Sequence, residues 1–340
     1  MRKKIILGTL FVLIATAGFL GWQVFGPTVT APAGKYLFIK TGSGYADVRE
    51  SLIENKIISN SFFFDIIAKQ VKYPQSIKAG RYEIKNGMSL FSLLRMLRSG
   101  RQSPVRLVIT KLRTNEDLAQ KIAENFECDS AAFLKFLLDK ETLKKYQLDS
   151  NTVMTAIFPN TYNILWNTSA DKIFKKLFSE KERFWHAERL AKAKALNLTA
   201  DQVYTMASIV EEETNAAEDK GKIASVYLNR MEKGMRLQAD PTIKFAMKDF
   251  GLKRIMEKHL FYPSAFNTYQ NTGLPPGPIC TPSIKTIDAV LDAPQTTYIY
   301  FVAKPDFSGY SNFAASYAEH LIYAKAYQQA LDSLVKAKNK

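Results

Sequence analysis

The chain has 340 residues, 46% of them apolar and 23% charged, with a formal net charge of +15. That length can hold two domains, and the apolar share excludes a disordered polymer. The basic balance favours anionic partners such as a membrane surface or an acidic wall polymer. Nucleic acid is disfavoured, because Lys and Arg are dispersed and no RNP, zinc-finger or helix-turn-helix signature occurs.

The N-terminus reads Met1-Arg2-Lys3-Lys4 and then carries no charge as far as Gly34. Residues 5–25 are apolar enough and long enough to cross a bilayer as a helix, with Trp22 near the far end, where an interfacial aromatic is expected. Basic residues before the span place residues 1–4 in the cytoplasm and the remainder outside, as a single-pass protein of the inner (plasma) membrane. A cleaved signal peptide is the alternative, since Ala31-Pro32-Ala33 loosely matches a small-residue cleavage site. No Cys lies near the span, which excludes a lipoprotein anchor.

Residues 26–34, rich in Pro, Ala and Gly, read as a linker. Residues 35–110 then alternate short strands and helices. Strands are expected at Tyr36–Lys40, Gly80–Ile84 and Val105–Ile109, and helices over 48–58, 62–71 and 89–97, the last ending at Gly100. The stretch 115–200 is mostly helical and Lys-rich, interrupted by Ile157-Phe158-Pro159-Asn160-Thr161-Tyr162, which reads as a loop. Farther on, Gly234 suits the position just past a helix. Thr297–Ala303 reads as a buried strand leading into a polar loop through Ser311-Asn312-Phe313, and 316–336 as a terminal helix. The fold class is therefore α+β: a membrane helix, a small α+β module and a larger mixed domain over 111–340.

Between 199 and 214 the pattern carries chemistry. Thr199 with Gln202 forms a capping-box start, and Val203, Met206, Ala207 and Val210 repeat at helical spacing before Glu211-Glu212-Glu213-Thr214. On the wheel Glu212 points away from the apolar stripe, while Glu213 falls beside Met206 and Ile209. Glu213 also lies in the last turn, where the helix dipole disfavours a negative charge. Both effects favour a protonated carboxyl, as a general acid at neutral pH requires. A solvated acidic helix end is the plain alternative.

Four further segments concentrate polar groups. Gly234-Met235-Arg236-Leu237-Gln238-Ala239-Asp240-Pro241-Thr242 reads as a Pro-terminated turn, and Phe266-Asn267-Thr268-Tyr269 offers an amide, a hydroxyl and an aromatic face. Gly273-Leu274-Pro275-Pro276-Gly277-Pro278 is a rigid loop, and Phe301-Val302-Ala303 leads to the last. Arg236, Gln238, Asp240, Asn267 and Tyr269 are the candidate substrate-binding residues, with alanine at Asn267 or Gln238 expected to leave stability nearly unchanged. His186, His259 and His320 form no ligand pattern, so no metal is expected, and no phosphate loop or dinucleotide fingerprint calls for an organic cofactor. Cys128 and Cys280 are expected as buried free thiols, with pairing in an oxidising compartment the alternative.

Taken in order, Met206-Ala207-Ser208-Ile209-Val210-Glu211-x-Glu213-Thr214, Gly234 to Thr242, Phe266 to Tyr269, Gly273 to Ile279 and Tyr300 to Ala303 strongly resemble the endolytic murein transglycosylases, the YceG-like or MltG family. The resemblance implies a LysM-like module over 35–110 and a catalytic domain over 111–340. It also implies cleavage of the β-1,4 bond between N-acetylmuramic acid and N-acetylglucosamine in peptidoglycan, leaving 1,6-anhydro ends, with a role in terminating nascent strands. Peptidoglycan synthases of the elongation or division machinery would be partners. The family's catalytic Glu maps to Glu213, with Glu211 as the alternative, and no cofactor is implied. Two positions depart from the family pattern: Asn160 stands where an Asp is usual, and Ser311 where a His is frequent. A non-catalytic peptidoglycan-binding scaffold and a water-using hydrolase are the competing readings.

Overall fold

The computed structural model describes residues 2–338, which divide into two compact units. The first comprises residues up to Leu107 together with 123–128 and 163–169. It opens with α1 (Arg2–Phe25), a helix long and apolar enough to cross a membrane. At 1.5 Å per residue its 24 residues extend about 36 Å, beyond the ~30 Å hydrocarbon core. Its large apolar side chains, Leu7, Phe11 and Ile14 among them, are exposed all round, which suits lipid rather than water. Thr9 and Thr16 return their hydroxyls to the carbonyls of Ile5 and Val12, so neither presents an unmet donor.

Residues 26–34 do not hang free as a linker. Val29 is buried and bridges Met88, with amide–carbonyl distances of 3.1 Å from Val29 N to Met88 O and 3.0 Å from Gly87 N to Val29 O. Thr30 N donates to Ile57 O at 3.0 Å, and Ala31 N to Asn86 Oδ1 at 2.7 Å. The end of α1 is thus tied to the module that follows. That module holds β1 (Tyr36–Ile39), α2 (Tyr45–Glu54), α3 (Phe62–Gln70), β2 (Gly80–Glu83) and α4 (Leu90–Ser99). The strands pair antiparallel, Tyr36 opposite Glu83 and Ile39 opposite Gly80. Leu37, Ile39, Val48, Leu52, Phe64, Tyr82, Leu93 and Leu97 form the core. The Ser89 hydroxyl caps α4 by accepting from Ser92 N at 3.2 Å, and Gly100 closes the helix at φ +71°, a left-handed conformation that glycine adopts without strain.

Two strands, β3 (Val105–Ile109) and β4 (Asn160–Ile164), contain residues of both units. The loop expected at 157–162 is replaced in part by β4, where Tyr162 and Ile164 are buried and alternate with exposed neighbours at strand spacing. Pro159 sits just outside, where no ladder donor is needed.

The second unit carries α5 (Asn115–Ala123) over most of its length, α6 (Ser130–Leu138), α7 (Lys140–Lys144), α8 (Ala170–Phe184), α9 (Ala187–Ala195), α10 (Ala200–Glu213), α11 (Ala217–Glu232), α12 (Asp240–Met247), α13 (Ile284–Leu291), β5 (Tyr300–Ala303), β6 (Ser311–Ala314) and α14 (Tyr317–Lys338). Helix α10 is its hub, packed against α11, α12 and α13. Two expectations change here. The strand near 300 is half-buried and shorter than expected, and the supposed loop 311–313 is its partner strand, with Phe301 opposite Phe313. A polar sequence pairs there because α14 packs on the ribbon and its backbone groups are satisfied by the pairing. Cys280 is a buried free thiol whose Sγ lies 3.4 Å from Ser208 O, and Cys128 is half-buried.

Candidate active site

Helix α10 begins as its sequence predicts. Gln202 N donates to Thr199 Oγ1 at 3.2 Å, and Thr199 N to Gln202 Oε1 at 2.8 Å. It does not show a single apolar stripe, because every residue from Val203 to Val210 is buried. Thr205 and Ser208 can sit inside because their hydroxyls donate to Asp201 O at 2.8 Å and Thr205 O at 2.6 Å. Ser208 Oγ in turn accepts from Ile279 N at 3.0 Å, which docks the chain after the Gly-Pro loop onto α10.

Burial on all sides gives the three carboxylates three different surroundings. Glu211 receives Lys220 Nζ at 2.8 Å, Ser283 Oγ at 3.2 Å and a short contact from Thr286 Oγ1. Burial alone would raise its pKa, but Lys220, Thr286 and Ser283 together hold it below the usual carboxylate range. Glu212 is not the outward residue of the wheel. It pairs with Arg113 at 3.1 Å and Lys111 at 3.3 Å, because the chain before α5 covers that face. Glu213 alone has no cation in ion-pair range among the described residues.

Glu213 is partly buried and accepts a 2.6 Å hydrogen bond from Tyr227 Oη on α11. Burial pushes its pKa up to about 7, against the opposing Tyr227 hydrogen bond; nearby Asp240 raises it further, while Lys244 and Arg230 hold it down. A carboxyl with that value is protonated in part at neutral pH and can both give and take a proton. Arg230, one turn beyond Tyr227, donates from Nε to Ile299 O at 2.7 Å and from a terminal nitrogen to Leu237 O at 2.7 Å. Its guanidinium lies 5.4 Å from the Tyr300 ring centroid.

Glu213, Arg230 and Tyr300 line a cleft of about 350 Å³. Of the residues expected to bind substrate, Gln238, Asp240 and Tyr269 line it with Glu213, and Tyr269 Oη donates to Asp240 Oδ1 at 2.6 Å. The Pro-terminated turn is in fact the start of α12, with Pro241 in the first turn, where its missing N–H costs nothing. Arg236 is exposed and outside the cleft lining. Asn267 is fully buried away from it. Its Nδ2 donates to Leu260 O at 3.1 Å and Tyr262 O at 2.9 Å, and its Oδ1 accepts from Tyr269 N at 2.9 Å. Asn267 therefore shapes the turn that carries Tyr269.

Arg230, Leu237, Tyr300, Phe301, Tyr317 and His320 complete the lining, with Tyr227 buried behind Glu213, and the sequence assigned a role to none of them. Arg230 left a trace, since an arginine three residues past Tyr227 on the stripe of Ile223 and Val226 needs buried partners. Tyr300 lies in one of the segments that carry the family resemblance but was given no role there, and Tyr317 and His320 left no trace, because α14 is brought to the cleft by its packing on β5 and β6. The His320 ring stacks on Tyr300 at 5.1 Å, and burial followed by the Arg230 charge lowers its pKa.

Residues 37–326 match the YceG-like family. The chain belongs to that family. It is 31% identical over 302 residues to an endolytic murein transglycosylase of Bacillus subtilis (strain 168), covering 83% of this chain and 81% of that protein. An endolytic murein transglycosylase of Streptococcus pneumoniae serotype 2 is 27% identical over 326 residues, 86% of this chain and 59% of the relative. The crystal structure of a yceG-like protein from Listeria monocytogenes superposes with a TM-score of 0.56 at 28% identity, covering 84% of this chain and 98% of that one.

Proposed function

We propose that this chain is a membrane-anchored lytic transglycosylase that cuts peptidoglycan within glycan strands, at the β-1,4 bond from N-acetylmuramic acid to N-acetylglucosamine. The observation that carries the reading is Glu213, a carboxyl with a pKa near 7 in a cleft lined by tyrosines, Gln238 and Asp240. In the first step Glu213 gives its proton to the glycosidic oxygen, and the C1–O bond breaks with its electron pair leaving on that oxygen. The carbonyl oxygen of the sugar's own acetamido group stabilises the cationic C1, so no second carboxylate is required. In the second step the Glu213 carboxylate takes the proton of the C6 hydroxyl as O6 bonds to C1. The product is a 1,6-anhydro end, no water is consumed and the acid is restored.

The Tyr227 hydrogen bond supports both steps, because it steadies the carboxylate between them without the permanent charge of a lysine. Aromatic faces at Tyr269, Tyr300 and Tyr317 suit the apolar faces of pyranose rings. In this reading Gln238, Asp240 and Tyr269 contact the glycan, whereas Asn267 acts through Tyr269. Residues 1–4 lie in the cytoplasm of a plasma-membrane protein, and the cleft faces the wall. The β1–α2–α3–β2 order with paired strands supports a LysM-like module, and cuts made at the membrane suit the ending of nascent strands beside a synthase.

Mass spectrometry of muropeptides released by the full chain tests the reading. Anhydro-muramic ends are expected; reducing ends, one water heavier, would show a hydrolase instead, and no release would favour a binding scaffold.

A further inference from the structure

The first unit holds a second cleft, of about 450 Å³, lined by Val71, Phe91 and Leu94 and rimmed by Lys78, Arg95 and Arg98. We propose that it binds the headgroup of an anionic phospholipid in the leaflet from which α1 emerges. The inference rests on α1 crossing a membrane and uses nothing of the catalytic assignment.

Three relationships point to lipid. The Phe91 ring lies 5.5 Å from Phe25, the last residue of α1, and both rings are exposed. Trp22, three residues earlier on α1, is exposed as well, so aromatic side chains mark the end of the span, the place such residues take at headgroup depth. Second, Phe91, Leu94, Arg95 and Arg98 occupy one face of α4 at i, i+3, i+4 and i+7. At 1.5 Å per residue the two arginines stand about 6 and 10 Å along the helix from Phe91, within a headgroup layer plus one Debye length. Third, Lys78, Arg95 and Arg98 have no carboxylate in ion-pair range among the described residues, and Lys78 Nζ is anchored by Ser99 O at 3.2 Å. An apolar wall beside three uncompensated cations fits a phosphodiester with its glycerol and upper acyl carbons. The α1 contact and the packed segment 26–34 hold that wall at the surface.

The test uses the full chain in detergent micelles doped with equal phosphatidylglycerol and phosphatidylcholine, and native mass spectrometry counts the lipid retained. The wild type should retain phosphatidylglycerol over phosphatidylcholine. Arg95→Ala with Arg98→Ala should reduce that preference by roughly tenfold or more, since each cation near an anionic surface contributes about a fivefold factor. Arg95→Lys with Arg98→Lys should keep most of it, as should Lys175→Ala with Lys176→Ala on α8, a control for net charge. An unselective wild type, an unaffected alanine pair, an equal loss in the α8 control, or a chain that does not enter micelles would each overturn the proposal. So would displacement of the lipid by millimolar inorganic phosphate or by soluble glycan strands, which would make the cleft an anion or sugar site.

Discussion

Tyr227 Oη donates a 2.6 Å hydrogen bond to Glu213 Oε1, from the middle of α11 to the last residue of α10. This bond favours the charged carboxylate, whereas burial favours the protonated acid, and the balance leaves the pKa at about 7. Tyr227→Phe removes the bond with little change of shape. The pKa of Glu213 should then rise, moving the alkaline limb of the pH–rate profile upward. A profile unchanged in position would show that Tyr227 does not tune the acid.

The same balance affects stability. The folded-state pKa of Glu213 is raised from 4.5 to about 7, so its protonated form contributes fully below about pH 4.5, and that contribution is lost as pH rises through 7. Glu213→Gln should therefore be more stable than wild type at pH 8, by something on the order of 1–3 kcal/mol. The advantage should shrink toward pH 5. Thermal melts of both proteins at the two pH values check the sign.

Glu211 and Glu212 should act through folding. Lys220 and Glu211 are mostly buried, and Glu211→Gln leaves the ammonium without its counter-charge, which should cost about 1–3 kcal/mol. Glu212→Gln removes the shared partner of Lys111 and Arg113, whose side chains are about one-third exposed, and should cost less, roughly 0.5–1 kcal/mol. Denaturant melts rank the two.

Asn267→Ala should lower stability by about 1–3 kcal/mol, because two backbone carbonyls lose their donor in a buried site. Gln238→Ala, at an exposed position in the cleft, should weaken turnover with a nearly unchanged melt. Equal melts for the two variants would contradict this division.

Much of the site was legible because its determinants are local. The Thr199–Gln202 box sets where α10 starts and fourteen residues later the helix ends at Glu213, so the wheel position beside Met206 and Ile209, together with the last-turn dipole, singled it out among three adjacent acids. Local pattern could not reveal what covers each face. Glu212 looked outward until the segment carrying Lys111 and Arg113 was folded over it. Asn267 looked like a sugar contact because an amide in a polar segment reads the same whether it faces glycan or backbone. The strand at 311–314 was hidden for a related reason, since its hydrogen bonds are made to residues about ten positions earlier and its side chains are mixed. Helix α14 was expected as a helix, but its contribution of Tyr317 and His320 depends on packing against β5.

In the proposed mechanism one carboxyl, Glu213, both supplies and recovers the proton. Release of anhydro-muropeptides from purified glycan strands by Glu213→Gln and Glu211→Gln, each at a pH where its fold is intact, tests it most directly. Glu213→Gln is expected to lose about 10²–10⁴-fold in rate, toward the upper end because both steps use the same group, while Glu211→Gln keeps most of its activity per folded molecule. Near wild-type release by Glu213→Gln with loss in Glu211→Gln would instead place the acid two residues back along α10, at Glu211.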